Sequence, residues 1–583
     1  MSTNCHGDPV DKDFPDIRDL AIIGDRRTAA LIARNGAVVW YCPKRFDHPS
    51  LLAALLESKS GGAWTLRSPA LMFASRRYLE DSGVLETTFT TSGSELRVTD
   101  WMLIGEKAPR GICRRFSPAP NEVTVSLQAV PDYGQRAPKL QYVGLAAQID
   151  ERYYLYASHP IAIEGERVHF TIPQGEPGWA MLVDELLTSH TGKEVDAWLE
   201  STLANWQQLA SHAQYQGPYE REVADSLRAL RLLTFEENGG IIAAATTSLP
   251  EVVGGERNYD YRYVWLRDAG MIVSALLRAG SDGTEERRFL NFICSLGYDA
   301  DNMPLAPFST LDGEATMDEQ TLELAGYRGS KPVLLGNGAN NQLQLDAYGN
   351  VLLAAKLIYG RFDTREHWPI VERIADFLAE HWSEPDHGLW EEREKRQYTS
   401  GKVIVACGLD SIAPFAERET KAQRWRTVVQ DIRHFVAEEC LTSEGAYAAV
   451  AGGEAVDISS VLFPIWGYIA PDAPEMLTTI EALERDLAVG HLYRRHLEEF
   501  DSQQEGAFLA GTLWMAQYWV MRRDFLRVRT LLNAALEYAN DLGLFAEEAE
   551  PKTGQMLGNF PQTFVHAAFI GAVIDLKTAL ESE

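Results

Sequence analysis

The chain is 583 residues long and carries 54 Lys+Arg against 83 Asp+Glu, a formal net charge of −29. That length predicts at least two cores rather than one, and 45% hydrophobic with 23% charged residues excludes a wholly disordered chain. So acidic a surface repels phosphate backbones and anionic headgroups, so neither nucleic acid nor a membrane is an expected partner.

Residues 1–17 are polar and proline-punctuated and read as a flexible tail. They hold neither the basic nor the apolar region of a secretory signal. The six cysteines (Cys5, Cys42, Cys113, Cys294, Cys407, Cys440) are scattered, with no C-x-x-C. Buried thiols and a cytoplasmic location are the expectation. The apolar stretch Ala567–Ile574 is far shorter than the ~18 residues of a membrane span.

Residues 18–186 are expected to form an N-terminal antiparallel β-sandwich. Leu85–Val98 is two β-rich runs around Ser-Gly-Ser, and the runs starting at Val123 and Arg167 alternate apolar and polar residues. No catalytic-looking cluster stands out there. Over 187–217, Val195, Trp198, Leu199, Leu203 and Trp206 recur at helical spacing and predict a linker helix.

Residues 218–583 carry twelve further helical segments: 219–236, 268–280, 285–297, 343–359, 367–382, 402–417, 420–440, 457–470, 474–487, 505–521, 523–540 and 562–580. The gaps between them alternate between long and short, and ordinary helix–helix links run about 2–8 residues. Twelve antiparallel helices with that rhythm send every long gap to the same end. The expected architecture is an (α/α)6 barrel with one elaborated rim, making the whole an α+β multidomain chain.

The long gaps hold the chemistry. Gap 237–267 ends in Asn258-Tyr-Asp-Tyr-Arg-Tyr-Val-Trp-Leu-Arg-Asp-Ala-Gly270, where aromatic faces beside Arg267 and Asp268 suit a pyranose. Asp268 could equally cap a helix, with Arg267 as its counter-ion. Gap 383–401 holds Gly388-Leu-Trp-Glu-Glu-Arg393, in which a tryptophan precedes two adjacent carboxylates, or simply a solvated charge run. Gap 541–561 carries Phe545-Ala-Glu-Glu-Ala-Glu-Pro551. Acidic groups on two separate rim loops can face each other across a barrel mouth, the arrangement glycoside hydrolysis needs. Gap 488–504 offers His491-Leu-Tyr-Arg494-Arg495, a cationic clamp or an ordinary basic patch. There is no Walker A, H-E-x-x-H or G-x-S-x-G sequence, and the thirteen histidines are dispersed, so no metal site is expected. His566 reads as a hydrogen-bonded core residue.

These motifs resemble glycoside hydrolase family 15, the glucoamylase and bacterial trehalase family. Arg257–Gly270 resembles its R-N-x-D-Y-R-Y-x-W-L-R-D signature, Gly388–Arg393 its general-acid loop, Phe545–Pro551 with Gly558–Gln562 its general-base loop, and Leu20–Pro49 its N-terminal sheet entry. The resemblance implies a β-sandwich followed by an (α/α)6 barrel and inverting release of β-glucose from an α-glucoside; no cofactor and no metal are expected. It makes Glu391 the general acid and Glu547 the general base. Arg267, Asp268 and Arg494 would hold hydroxyls of the terminal glucose. Tyr261, Trp265 and Trp390 would wall it, and Glu392 would sit near the leaving sugar. Departures fall at Tyr259, where the family has Trp, at His48, where it favours Ser, at Leu322–Leu324, and in the stretch 303–312, which lacks a usual Tyr. All lie in loops expected to shape the pocket beyond the first glucose.

The leading expectation is therefore an exo-α-glucosidase for short α-gluco-oligosaccharides, with trehalose as the close alternative. A disaccharide phosphorylase and a non-catalytic sugar sensor are more distant: the first has no use for Glu547, and the second has no reason to keep both carboxylates. The expected partner is a small carbohydrate, and homo-oligomerisation stays open.

Overall fold

The computed structural model describes residues 14–582 apart from 70, 92, 106–107, 189–190, 299–304, 315–317 and 497–504. Most of the tail expected over 1–17 lies outside the described residues, as do the first two residues of the 303–312 stretch. The chain divides into two compact units. One comprises Met1–Leu209, Ser248–Tyr259 and Thr321–Val333; the other comprises Ala210–Thr247, Asp260–Gln320 and Leu334–Glu583.

The first unit is built on two antiparallel sheets. The strands, in chain order, are β1 (Ala21–Gly24), β2 (Ala29–Ile32), β3 (Val38–Tyr41), β4 (Ala63–Arg67), β5 (Met72–Tyr78), β6 (Leu85–Thr91), β7 (Ser94–Met102) and β8 (Gly111–Phe116). They continue with β9 (Val123–Gln128), β10 (Leu140–Val143), β11 (Ala146–Ile149), β12 (Tyr153–Ala157), β13 (Ala162–Glu164), β14 (Arg167–Ile172) and β15 (Gly178–Val183). One sheet runs β1-β2-β3-β4-β9-β14-β13 and the other β10-β11-β12-β15-β8-β7-β6-β5. Strands β6 and β9 bury every second residue, as a strand with one face on a core must. Arg114 and Asp100 lie fully buried in this unit, paired at 2.7 Å. Helix α1 (Gly192–Ala210) packs Val195 and Leu199 against Trp101, Tyr156 and Met181.

The second unit is the helical barrel. Its helices are α2 (Glu220–Leu232), α3 (Asp268–Arg278), α4 (Thr284–Tyr298), α5 (Leu345–Phe362), α6 (Trp368–His381) and α7 (Thr399–Ile412). They are followed by α8 (Glu419–Glu439), α9 (Leu462–Ile465), α10 (Pro474–Asp486), α11 (Leu509–Met521), α12 (Phe525–Leu536) and α13 (Thr563–Glu581). Helices α3, α5, α7, α9, α11 and α13 neighbour one another in that order, and α13 returns to α3 to close an inner ring. The intervening helices lie outside it. Inner helices are buried almost all round; α7, for instance, buries Thr399 to Leu409 without a break. A helix with no solvent face has to be apolar on every side. This explains α13, the one helix among the described residues long and apolar enough to cross a membrane: its residues are spent on the ring.

One segment departs from its expected length. The helix read over 457–470 is a 3₁₀ turn, Ile458–Val461, running into the single turn of α9. Asp457 caps the turn by accepting from Ser459 N–H at 2.7 Å, and Gly467, at φ +83°, ends it. Every long connection leads into the N-terminus of an inner helix, so the partial positive ends of six helices gather at one rim.

Candidate active site

Three rim connections supply the site. Residues 260–265 lead toward α3 and end in the short strand Val264–Trp265, held by Ala243 N–H to Tyr263 O and Ala244 N–H to Tyr261 O, both at 2.9 Å. Side chains alternate along this stretch. Asp260 and Arg262 form a fully buried pair at 2.7 Å. Trp265 stacks on Phe308 with ring centroids 4.6 Å apart, and Tyr261 meets Trp265 edge-on at 5.6 Å.

Glu391 and Glu547 are each tied to one member of that aromatic pair. Trp265 Nε1–H donates to Glu391 Oε1 at 2.6 Å, and Tyr261 O–H donates to Glu547 Oε1 at 2.8 Å. Two carboxylates far apart in sequence thus border the same two touching rings. Glu547 is 4% exposed, and the side chain of Glu391 is 18% exposed.

The local backbone explains each placement. Glu391 adopts φ +62°, a left-handed conformation that costs a non-glycine residue about 1–2 kcal/mol and is held only where the surroundings over-determine it. Here Gln342 Nε2 donates to Glu391 O at 3.1 Å, His387 Nδ1 lies 2.7 Å from Glu392 O, and Asp386 and Arg396 exchange backbone hydrogen bonds at 3.0 and 2.8 Å. The turn separates sequence neighbours: Trp390 faces Phe508 and Trp514 and donates to Asp457 Oδ2 at 2.5 Å. The indole hydrogen-bonded to Glu391 is therefore Trp265, and not the tryptophan beside it in sequence. Glu547 immediately precedes a small strand, Glu548–Glu550, paired with Ala507–Phe508 and Gln555–Leu557. Gly558 crosses so close behind that a Cβ there would stand 2.7 Å from both Cβ and Oε2 of Glu547.

Arg267 is the electrostatic hub. It donates to Leu389 O at 2.7 Å, to Glu391 Oε1 at 3.2 Å and to Asp268 Oδ1 at 3.3 Å. Burial opposes its charge, but Asp268, Glu391 and Asp346 outweigh that and hold it protonated. Asp268 is the first residue of α3 rather than its cap. Burial pushes its carboxyl up to about 6, against the pull of Arg267. Trp390 and Glu392 are tied to Asp457 and His496. Arg494 is half-buried with its N–H on Leu487 O at 3.0 Å, and Glu392 Oε1 lies 3.1 Å from His496 Nε2.

Several residues emerge that sequence reasoning missed or left without a role. Arg495 pairs with Glu505 through Nε at 2.9 Å, reaches Glu548 at 3.3 Å, and lies 5.6 Å over both Trp390 and Phe508. Asp346, in the first turn of α5, is buried and neither of its oxygens meets a hydrogen-bond donor among the described residues. Burial first, then the charges of Asp386 and Glu391, push its carboxyl up to about 7. A lone acid in a helix's first turn looks like ordinary dipole compensation, so nothing marked it. Asp386 accepts from Leu345 N–H at 2.9 Å, and burial lifts it to about 6. Only the arginine run at 494–495 carried a readable signal.

His566 supports the Glu547 loop from α13: its Nε2 accepts from Phe545 N–H at 3.3 Å, and its Nδ1 lies 3.0 Å from Ser226 Oγ. Burial drives its pKa from 6.5 down to about 3. The unfolded chain therefore binds a proton below pH 6.5 that the folded chain refuses, so stability from this group is complete above 6.5 and is lost as pH falls toward 3. Thermal melts at pH 7 and pH 4 are expected to show a larger drop for the wild type than for His566→Gln.

The residues 217–523 and 527–574 match the model of glycosyl hydrolases family 15, and 10–178 match that of the trehalase-like N-terminal domain. A trehalase of Thermoplasma volcanium is 30% identical over 97% of this chain and 94% of its own length. A trehalase of Mycobacterium tuberculosis is 31% identical over 98% and 91%. The fold is also that of a bacterial glucoamylase solved with acarbose, at a TM-score of 0.71, 13% identity and coverage of 100% and 98%. A two-carboxylate site at the mouth of an (α/α)6 barrel and these matches along nearly the whole sequence lead to one conclusion: the chain belongs to glycoside hydrolase family 15.

Proposed function

We propose that the protein hydrolyses α,α-trehalose with inversion, Glu391 acting as general acid and Glu547 as general base. The observation that carries the chemistry is the attachment of both carboxylates to the Tyr261–Trp265 pair, at 2.8 and 2.6 Å. Inverting hydrolysis needs two carboxyls flanking one sugar with room for a water between them. Both described donors to Glu391 fall on Oε1, so the proton delivered to the glycosidic oxygen sits on Oε2. As the C–O bond breaks, Glu547 takes a proton from the water that attacks the anomeric carbon on the opposite face. Arg267 and Asp268 bind hydroxyls of the sugar under attack, and Tyr261 and Trp265 form its wall. The Arg494 guanidinium serves the same sugar and Trp390 completes its wall, while Glu392 flanks the leaving unit.

The choice of trehalose over maltose and isomaltose rests on the near full-length likeness to proteins named trehalase. Glucose release from the three disaccharides under identical conditions tests it, with trehalose expected to give the highest kcat/KM. Preference for maltose or isomaltose would return the short gluco-oligosaccharides to first place, and dependence on inorganic phosphate with formation of glucose 1-phosphate would mark a phosphorylase.

A further inference from the structure

The residue after Glu391 belongs to a second polar cluster. Glu392 Oε1 lies 3.1 Å from His496 Nε2, and Trp390 Nε1–H donates to Asp457 Oδ2 at 2.5 Å. Asp457 and His496 are paired in a β-bridge, and Ile458 N–H donates to Arg495 O at 2.8 Å. The two residues flanking Glu391 are thus fastened to two bridged residues, Asp457 and His496. Asp457 and Arg495 are buried, whereas the side chains of Glu392 and His496 remain 31% and 18% exposed. Those two are the charged groups of this cluster that a ligand can reach. Burial works against the His496 charge, but Glu392 and Asp457 outweigh it and hold the imidazole above its ordinary 6.5. The pair therefore offers a cationic donor beside an anionic acceptor, a match for adjacent sugar hydroxyls.

We propose that His496, paired with Glu392, is a specificity-determining residue that holds hydroxyls of the departing sugar. The placement follows from the reading above, in which Glu392 flanks the leaving unit: a hexose that meets the Glu392 carboxylate also meets the imidazole 3.1 Å from it. The proposal rests on the assignment of Glu391 made above. Its ligand is the leaving hexose of a disaccharide, and a glucosyl donor with a small leaving group makes no use of it.

The test compares trehalose with α-D-glucosyl fluoride in the full-length enzyme. Losing a charge-assisted hydrogen bond costs about 1.5–3 kcal/mol, so His496→Ala is expected to lower the ratio of kcat/KM for trehalose to that for the fluoride about 10- to 100-fold. His496→Gln, which keeps a neutral donor, is expected to lower it less. A parallel loss on both substrates in a variant that keeps the wild-type melting temperature overturns the proposal, as does an unchanged ratio in either variant. Wild-type enzyme that hydrolyses neither substrate overturns the assignment of Glu391 itself, and the proposal with it.

Discussion

Glu547→Gln is expected to lose about 10²- to 10⁴-fold in kcat on every substrate, the usual worth of a positioned general base. The amide keeps the size of the side chain and can still accept from Tyr261 O–H, so the fold and the KM are expected to change little. Without a carboxylate, the water near the anomeric carbon has no acceptor for its proton. This holds whatever the leaving group, because the attacking water needs deprotonation in all cases. Initial rates on trehalose and on α-glucosyl fluoride check it, and near-normal turnover on either would remove Glu547 from the base role.

Glu391→Gln is expected to separate those two substrates. On trehalose it loses a comparable 10²- to 10⁴-fold, about the full value of proton donation to the departing oxygen. Fluoride leaves without a proton, so the loss on α-glucosyl fluoride is expected to be at least ten times smaller, set by the change at Trp265 and Arg267. Equal losses on both substrates would mean that Glu391 does something other than donate a proton. The contrast between the two variants distinguishes acid from base without a bound ligand.

Much of this was legible in the chain. Strands β9 and β14 could be read from period-two alternation, β6 from its β-rich composition, and the barrel helices from apolar periodicity and the rhythm of long and short gaps. The shortened α9 was not, because the periodicity continues through Gly467 while the backbone does not. Within the site, local clusters could be seen and distant partners could not. The bonds that bring Glu391 and Glu547 to one place span 126 and 286 residues, and no spacing rule reaches that far without the resemblance to a family. Adjacency in sequence does not identify partners either: Trp390 precedes Glu391, yet Trp265 holds it, because the left-handed turn at Glu391 sends neighbours apart. Asp346 and Asp386 carried no local mark, since what makes them unusual is burial among other acids, a property of the closed ring.

The barrel also accounts for the charge arrangement. One arginine, Arg267, stands among Asp268, Asp346 and Glu391, an acidic excess that water would otherwise solvate. The N-termini of the inner helices partly offset it, and raised carboxyls at Asp268 and Asp346 show where the remaining cost falls.

The central claim, that Glu391 and Glu547 work from opposite faces of one sugar, is tested most directly by proton NMR of the first products of trehalose. Attack with inversion turns the α-linked glucose under attack into the β-anomer, while the departing glucose keeps its own α configuration. The account predicts equal amounts of α- and β-glucose before mutarotation; α-glucose alone would contradict it.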